Sequence, residues 1–429
     1  MNTFFSGKQR GYWVIALLVL VALPWVFYNW STGRHSGFAL TLASEIGLMI
    51  VFSLSFNMQM GQAGLLSFGH AILFGLAGYT TAHLLNGIKS SGFWFPMELV
   101  PLVGGLAGLG FGIVFGYLAT KQRATAFAMI TMGLGELVAA AALMFMGFFG
   151  GEGGITTNRV IEASLVGATY SAPWQVYYLV VAWGLIATAL MLLHTQTPLG
   201  RMANAQRDNF ERAQFVGYDP QRIRFYQFAI SGFFAGIPGA LYAILYEIVT
   251  FDAVGAAKST TALLASYIGG VGGFFGPVIG AILVVLLQSG VSLLSNAWLL
   301  YVGVLFIVMV MYAPGGIVGI LAEHRPIAQS RQLGQLVVPY LRLLPAALLT
   351  LFGFVMLVEL ASFTTIGAAQ GKQFKVGGMA IVTGSLQPWL IAAAALVLGG
   401  LWLRWEGRRF MARWNELIEQ AKLAVGGAR

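Results

Sequence analysis

Apolar runs of about twenty residues recur along the chain, separated by short polar segments. They are Tyr12–Trp30, Phe38–Met58, Gly64–Leu85, Glu98–Thr120, Thr125–Phe149, Trp174–His194, Tyr226–Val249, a glycine-broken pair (Thr260–Val271 and Phe274–Leu294), and Ala297–Tyr312. A helix of that length crosses the hydrocarbon core of a bilayer. Together they predict an all-α polytopic membrane protein with about ten core transmembrane helices. Two further runs, Val337–Ala361 and Pro388–Arg404, predict a two-helix C-terminal extension. The expected domains are a core over residues 1–321, a cytoplasmic segment at 197–225 within it, and an extension over 322–429. Thr260–Val271 is short for a full crossing.

Composition agrees with the pattern. Of 429 residues, 58% are apolar and 9% charged, against about 25% charged in a soluble domain. The net charge of +9 sits in short groups between apolar runs. That is the pattern of loops beside anionic lipid and excludes a nucleic-acid surface. With the N-terminus inside, eighteen of the 24 Lys and Arg fall on the cytoplasmic side. This bias predicts a multi-pass inner (plasma) membrane protein with both termini in the cytoplasm. Tyr12–Trp30 carries Pro24 and Trp25 where a cleavage site would lie, so it reads as a retained helix. There is no cysteine, hence no disulfide and no thiolate metal site.

The informative polar stretch runs from Thr197 to Gly217. Asp208 and Glu211 have capping-box spacing, which predicts a short helix from Asn209. Gly217 would end it, and Asp219-Pro220 would start the next helix as N-cap and first-turn proline. Arg207, Asp208, Arg212 and Gln214 would dock on a soluble motor. Phe210, Ala213 and Phe215 would seat the helix on the bundle. An ordinary interfacial helix is the plain alternative.

At these residues the chain resembles a known family. Leu54–Tyr79, containing Gly61-Gln-Ala-Gly-Leu-Leu-Ser-Phe-Gly-His70, is similar to the early helices of LivM-type permeases of branched-chain amino acid ABC transporters. Thr197-Pro-Leu-Gly-Arg-Met-Ala-Asn-Ala-Gln-Arg-Asp-Asn209 resembles their coupling loop. Ile268–Ala281 and Ala313–Gly319 resemble their late glycine break and ending. The resemblance implies that Arg207, Asp208, Phe210, Glu211, Arg212, Ala213 and Gly217 couple to an ATPase. It also implies a homologous LivH-like second permease, two cytoplasmic ATP-binding subunits and an extracytoplasmic solute-binding protein. Gly273 stands where relatives often carry Ser, and about a hundred residues follow the family's usual end. Related permeases serve urea, amides and aromatic acids, so these remain alternative substrates beside branched-chain amino acids.

Breaks at Gly61/Gly64/Gly69 and Gly269/Gly270/Gly272/Gly273/Gly276 fall early in each half of the core. Paired discontinuous helices mark a translocation region because freed backbone groups face a polar cavity, although small residues also serve close packing. Asn57, Gln62, Gly64, His70, Gly269, Gly270 and Gly273 are the expected path or gate residues. Ionisable groups in hydrocarbon face the bundle interior or water; Glu45 and Glu136 are path or subunit-packing candidates, and structural hydrogen bonds explain them equally well. Glu247 lies near a helix end, and Glu359 would hold the two extension helices together.

No Gly-x-x-x-x-Gly-Lys-Ser/Thr loop is present, and the five histidines have no metal-ligand spacing. The chain is therefore expected to be a transporter subunit, not an enzyme, with no bound cofactor and with ATP used by partner subunits. The aromatic and basic tail from Arg404 to Lys422 predicts an interfacial amphipathic helix. Rival readings are an ion-coupled secondary transporter using Glu45, Glu136 and His70, and a membrane enzyme, which the lack of clustered catalytic groups disfavours.

Overall fold

The computed structural model describes residues 18–29, 34–161, 163–293, 295–330, 332, 334–367, 375–376, 379–380 and 385–426, with residues 421–426 described by backbone alone. Among the described residues, regular structure is helical apart from three two-residue antiparallel strand pairs, one of which joins Ile155 to Val249. After a helix over residues 18–26 (α1) come α2 (Gly37–Asn57), a π turn (Met58–Gln62), α3 (Ala71–Ser91), α4 (Val100–Ala119), α5 (Ala124–Met144) and a short α6 (Met146–Phe149). Next are α7 (Pro173–Gln196), α8 (Pro198–Asp208), α9 (Phe210–Phe215), α10 (Pro220–Tyr246), α11 (Ala256–Gly269) and α12 (Gly276–Ser292). The chain continues with α13 (Trp298–Tyr312), α14 (Gly316–Gln329), α15 (Gly334–Ser362) and α16 (Leu386–Gly426). These elements form two compact units, Met1–Leu286 with Met309–Val318, and Leu287–Val308 with Gly319–Arg429.

Eight helices among the described residues are long and apolar enough to cross a membrane. The α13–α14 pair, bent by 41°, makes nine if taken as one span. The polytopic all-helical class holds, with a lower count than expected. α11 and α12 have 14 and 17 residues and are each too short to qualify alone. Of the expected run Tyr12–Trp30, residues 12–17 and Trp30 lie outside the described residues, and α1 forms within the remainder.

The expected span Gly64–Leu85 is displaced: α3 starts at Ala71, and most of residues 64–70 are non-helical. Apolar content cannot separate a helical run from an extended one, and here Gly64 takes φ +69°. The expected Thr125–Phe149 helix stops at Met144, where Phe145 leaves helical geometry. In the second unit α16 is one helix of 41 residues, about 62 Å long. The basic tail therefore continues the span, in place of a separate interfacial helix. Its apolar side, with Trp414 and Leu417, packs on Ile327 and Leu336.

Packing in the first unit turns on backbone contact between α4 and α10. Gly104, Gly108, Gly112 and Gly116 recur every four residues and so share one face of α4. They lie against Phe228, Ala229, Gly232 and Gly236 of α10. A methyl group on Gly108 would come within 2.8 Å of the Gly236 Cα. Lipid supplies no hydrophobic drive between helices, so such close approach supplies the attraction. α1 is held on α7, where the Tyr177 and Tyr178 hydroxyls donate to the Leu20 and Val21 carbonyls.

Gly110, on the same helix, has open space at its Cβ position. Gly108→Leu should therefore destabilise the detergent-solubilised protein by about 1–3 kcal/mol, as overpacking does. Gly110→Leu should leave the melting temperature nearly unchanged. Thermal unfolding followed by size-exclusion chromatography checks the pair.

Candidate functional site

The two glycine breaks meet. The Asn57 side-chain amide donates to the Gly273 carbonyl at 3.4 Å, and a methyl group on Gly61 would lie 2.7 Å from the Val271 carbonyl oxygen. Between them opens a cavity of about 410 Å³ lined by Asn57, Gly61, Gln62, Arg207, Gly273 and Phe274, with Thr195, Arg201 and Asn204 at its side. Residues more than two hundred positions apart thus share one polar chamber.

Breaking a helix frees carbonyls, and each needs a donor inside a bilayer. The π turn supplies the clearest cases. Gln227 Nε2 donates to the Met58 carbonyl at 2.9 Å and to Gln62 Oε1 at 3.2 Å, and its own Oε1 accepts from His194 Nε2 at 2.9 Å. Gln59 donates to Ser231. The Gly61 and Ala63 carbonyls are met from α8, by the Arg207 guanidinium and by Gln206 Nε2 (3.0 Å for the latter). Asn57 Oδ1 is buried without a hydrogen-bond partner among the described residues, leaving an amide acceptor free beside the chamber.

Below the break, α8 and α9 form a two-part element. Thr197 caps α8 by accepting from the Gly200 amide. Asn209 caps α9, its Oδ1 accepting the Arg212 amide at 2.9 Å. The cap is thus Asn209 and not the expected Asp208, which ends α8 and instead pairs with Arg207 at 2.8 Å. Gly217, at φ +89°, follows α9 as expected. The Asp219 carboxylate caps α10, with Pro220 at the first position.

Of the residues expected to seat α9, Ala213 is buried and Phe210 packs under the Arg123 guanidinium, 3.7 Å from its ring centre. Phe215 does not pack inward: it is 89% exposed, and beside it Val216 and Tyr218 are exposed too. A six-residue helix buries only one narrow face, and Ala213 already occupies it. Glu211 and Arg212 lie on the open side. Arg207 departs in the other direction, reaching inward to Gly61 and lining the chamber.

Gly64 presses against Arg207: a methyl group there would meet Arg207 Cγ at 2.9 Å. Gly270 at φ +118° packs on the Gly315 carbonyl, and Gly269 packs on Gly276 and Gly280. Gly269 and Gly270 are therefore packing positions, set back from the chamber lining.

His70 is fully buried. Its Nε2 lies 2.9 Å from Ser55 Oγ, and its ring stacks on Phe52 and meets the edge of Phe56. It lies outside the chamber lining. Twelve residues before Asn57, about 18 Å along α2, Glu45 stands beside Tyr246. The Lys258 ammonium stands 5.1 Å from the Tyr242 ring centre and 5.4 Å from that of Phe74, and the Tyr242 and Tyr246 ring centres are 4.7 Å apart. Glu136 lies on an open face of α5 with Met129, Met132 and Leu137. Glu247 closes α10 and accepts from the Arg159 amide at 3.0 Å. Glu359 joins α15 to α13 through Tyr301 at 2.6 Å, not to the second extension helix as expected.

Several residues around the chamber carry no site expectation from the sequence: Arg201 and Asn204 in its lining, and Gln206, Gln227 and His194 in the hydrogen-bond network behind the π turn. Arg224, counted only as a loop charge, is buried and donates to the Thr120 carbonyl. The available signal was amides and basic residues clustered at the α7–α8 and α10 starts.

Residues 38–313 match the family described as branched-chain amino acid transport system / permease component. The high-affinity branched-chain amino acid transport system permease protein LivM of Escherichia coli is 27% identical over 335 residues, covering 73% of this chain and 76% of its own length. The protein of the same name from Salmonella typhimurium is 26% identical over 333 residues, with 72% and 75% covered. The fructose import permease protein FruF of Bifidobacterium longum is 25% identical over 321 residues, with 70% and 86% covered. No solved structure matches the chain significantly. The family match runs from the start of α2 to the end of α13, through both breaks, and the chain belongs to this family of membrane-spanning permease components of ABC importers.

Proposed function

We propose that this chain forms one half of the translocation path of an importer for amino acids, branched-chain ones foremost, driven by ATP hydrolysis on separate subunits. The observation that carries this reading is the tie from α8 to the break. Arg207 and Gln206 hold the Gly61 and Ala63 carbonyls at the chamber wall, and the α9 that follows presents Arg212, Phe215 and Val216 outward. A cytoplasmic ATPase that grips α9 would move α8 and thereby the break itself. An exposed Phe beside an Arg is the composition of a docking contact.

The other partners follow from surfaces and chemistry. The open α5 face carries a carboxylate among apolar side chains, which lipid covers at a cost; a second, LivH-like permease would cover it. An extracytoplasmic binding protein would deliver solute to the opposite mouth. ATP would be bound by the partner ATPases, with both termini of this chain on their side of the inner membrane.

For the substrate, Glu45 beside Tyr246 and Lys258 beside Tyr242 offer a negative and a positive group in one half-buried neighbourhood. Such a pair complements the ammonium and carboxylate of a zwitterion better than it complements a sugar. The relatives named for branched-chain amino acids support the same choice. An ion-coupled carrier would need Glu45, His70 and Glu136 in one relay, and they lie instead against Tyr246, against Ser55 and on an open face.

Affinity purification in mild detergent should recover a second permease and two ATPases. Arg212→Glu with Phe215→Ala should detach the ATPases and cut uptake at least tenfold, while the chain remains in the membrane. Uptake that persists with ATP depleted and a proton gradient intact would contradict the proposal. Within an assembled transporter, Glu45→Gln should raise the apparent KM for leucine about tenfold, the loss of one charged contact. An unchanged KM would remove Glu45 from the solute path.

A further inference from the structure

The second unit holds a basic cavity whose lining shares no residue with the chamber. It measures about 310 Å³ and lies between the start of α15 and the second half of α16, lined by Gln335, Arg342, Arg409 and Arg413, with Glu406 and Phe410. Three arginines against one glutamate leave this lining with a surplus of positive charge.

The three guanidinium groups are held differently. Arg413 is fixed by Gln335 Oε1 and by Glu416, both at 2.9 Å. Arg409 lies over the Trp405 ring, 3.5 Å from its centre, with Glu406 at 3.8 Å. Arg342 is exposed and makes no hydrogen bond or ion pair among the described residues. Two arginines are thus preset in position and the third has its donors free. Guanidinium groups favour phosphate because their planar donors match its oxygens in pairs.

The level of the cavity selects the kind of phosphate. On α15, Arg342 immediately precedes Leu343–Val358, which contains no charged residue; on α16, Arg404 and Glu406 follow the uncharged run Leu386–Leu403. Both helices therefore place the cavity just past an apolar crossing, where headgroups lie. Leu341, Leu344, Leu401 and Trp405 are exposed around that level, the first and third at 61%. A soluble anion has no use for such an apolar flank, whereas a lipid has an acyl chain to lay on it.

We propose that this cavity binds the phosphate of an anionic phospholipid, its acyl chains lying along the exposed leucines of α15 and α16. The extension beyond the family match is then a lipid-binding unit. An acidic protein segment would satisfy the arginines but would leave the apolar flank uncovered.

The test is native mass spectrometry of the full chain in detergent, titrated with phosphatidylglycerol or phosphatidylcholine of the same acyl composition. Phosphatidylglycerol should be retained in preference. R342Q, at an exposed position without a partner, should lower that preference about fivefold, the worth of one basic residue at an anionic surface. R408Q removes the same charge from the same tail outside the cavity and should leave the preference intact. Equal retention of both lipids, or equal effects of R342Q and R408Q, would overturn the site. Inorganic phosphate displacing the lipid at comparable concentration would overturn the lipid assignment in favour of a free anion.

Discussion

A backbone carbonyl inside a bilayer must find a donor, and most of the first unit's architecture follows from that requirement. The π turn and the non-helical residues 64–70 release carbonyls that no helix satisfies. The donors come from elsewhere in the chain: Gln227 from α10, Gln206 and Arg207 from α8, and Asn57 toward Gly273 in the opposite break. These bonds do two things at once. They make an interrupted helix tolerable in lipid, and they fasten the polar surface element to the interruption. A chamber and a mechanical connection to it arise from the same few bonds.

Glycine makes the arrangement compact. Gly104, Gly108 and Gly112 let α4 lie on α10 at backbone distance, which fixes the helix that presents Gln227 and Ser231 to the break. At Gly64 the left-handed backbone turns the chain beneath Arg207. A side chain at either kind of position would push apart elements whose bonds have little slack. Toward the other end of α2, Phe52, His70 and Phe74 fill the interior with rings, between the Glu45 neighbourhood and the chamber. A solute that passes between these two regions must displace that packing.

The apolar pattern gave most of the crossings, because a twenty-residue run without charge has few alternatives in a folded chain. It failed where hydrophobicity is silent about backbone direction. Gly64–Gly69 is as apolar as a helix and is mostly not one, and α11 with α12 share an apolar run that a break at Gly270 divides. The two glycine clusters were visible as clusters, and their meeting at one cavity was not, since no local pattern encodes a contact across 216 positions. Phe215 was misplaced for a related reason. Periodicity over six residues cannot say which side of a helix the bundle covers. The α4 glycine ladder was legible in retrospect, four residues apart throughout, yet it was hidden in a run already assigned as a span. In the second unit the charged tail was read correctly as amphipathic, but its apolar face meets Ile327 and Leu336 of its own unit.

In the proposed mechanism, work applied at α9 reaches the chamber through Arg207. The chain has no cysteine, so a spin-label pair introduced by Leu192→Cys and Phe274→Cys reports the chamber width with no background from this chain. The measurement is the interspin distance in the assembled transporter, nucleotide-free and with a trapped ATP analogue. Distinct distance distributions are expected in the two states, collapsing to one when Arg207→Gln is added while ATP binding persists. Identical distributions in both states of the otherwise unmodified transporter would contradict it.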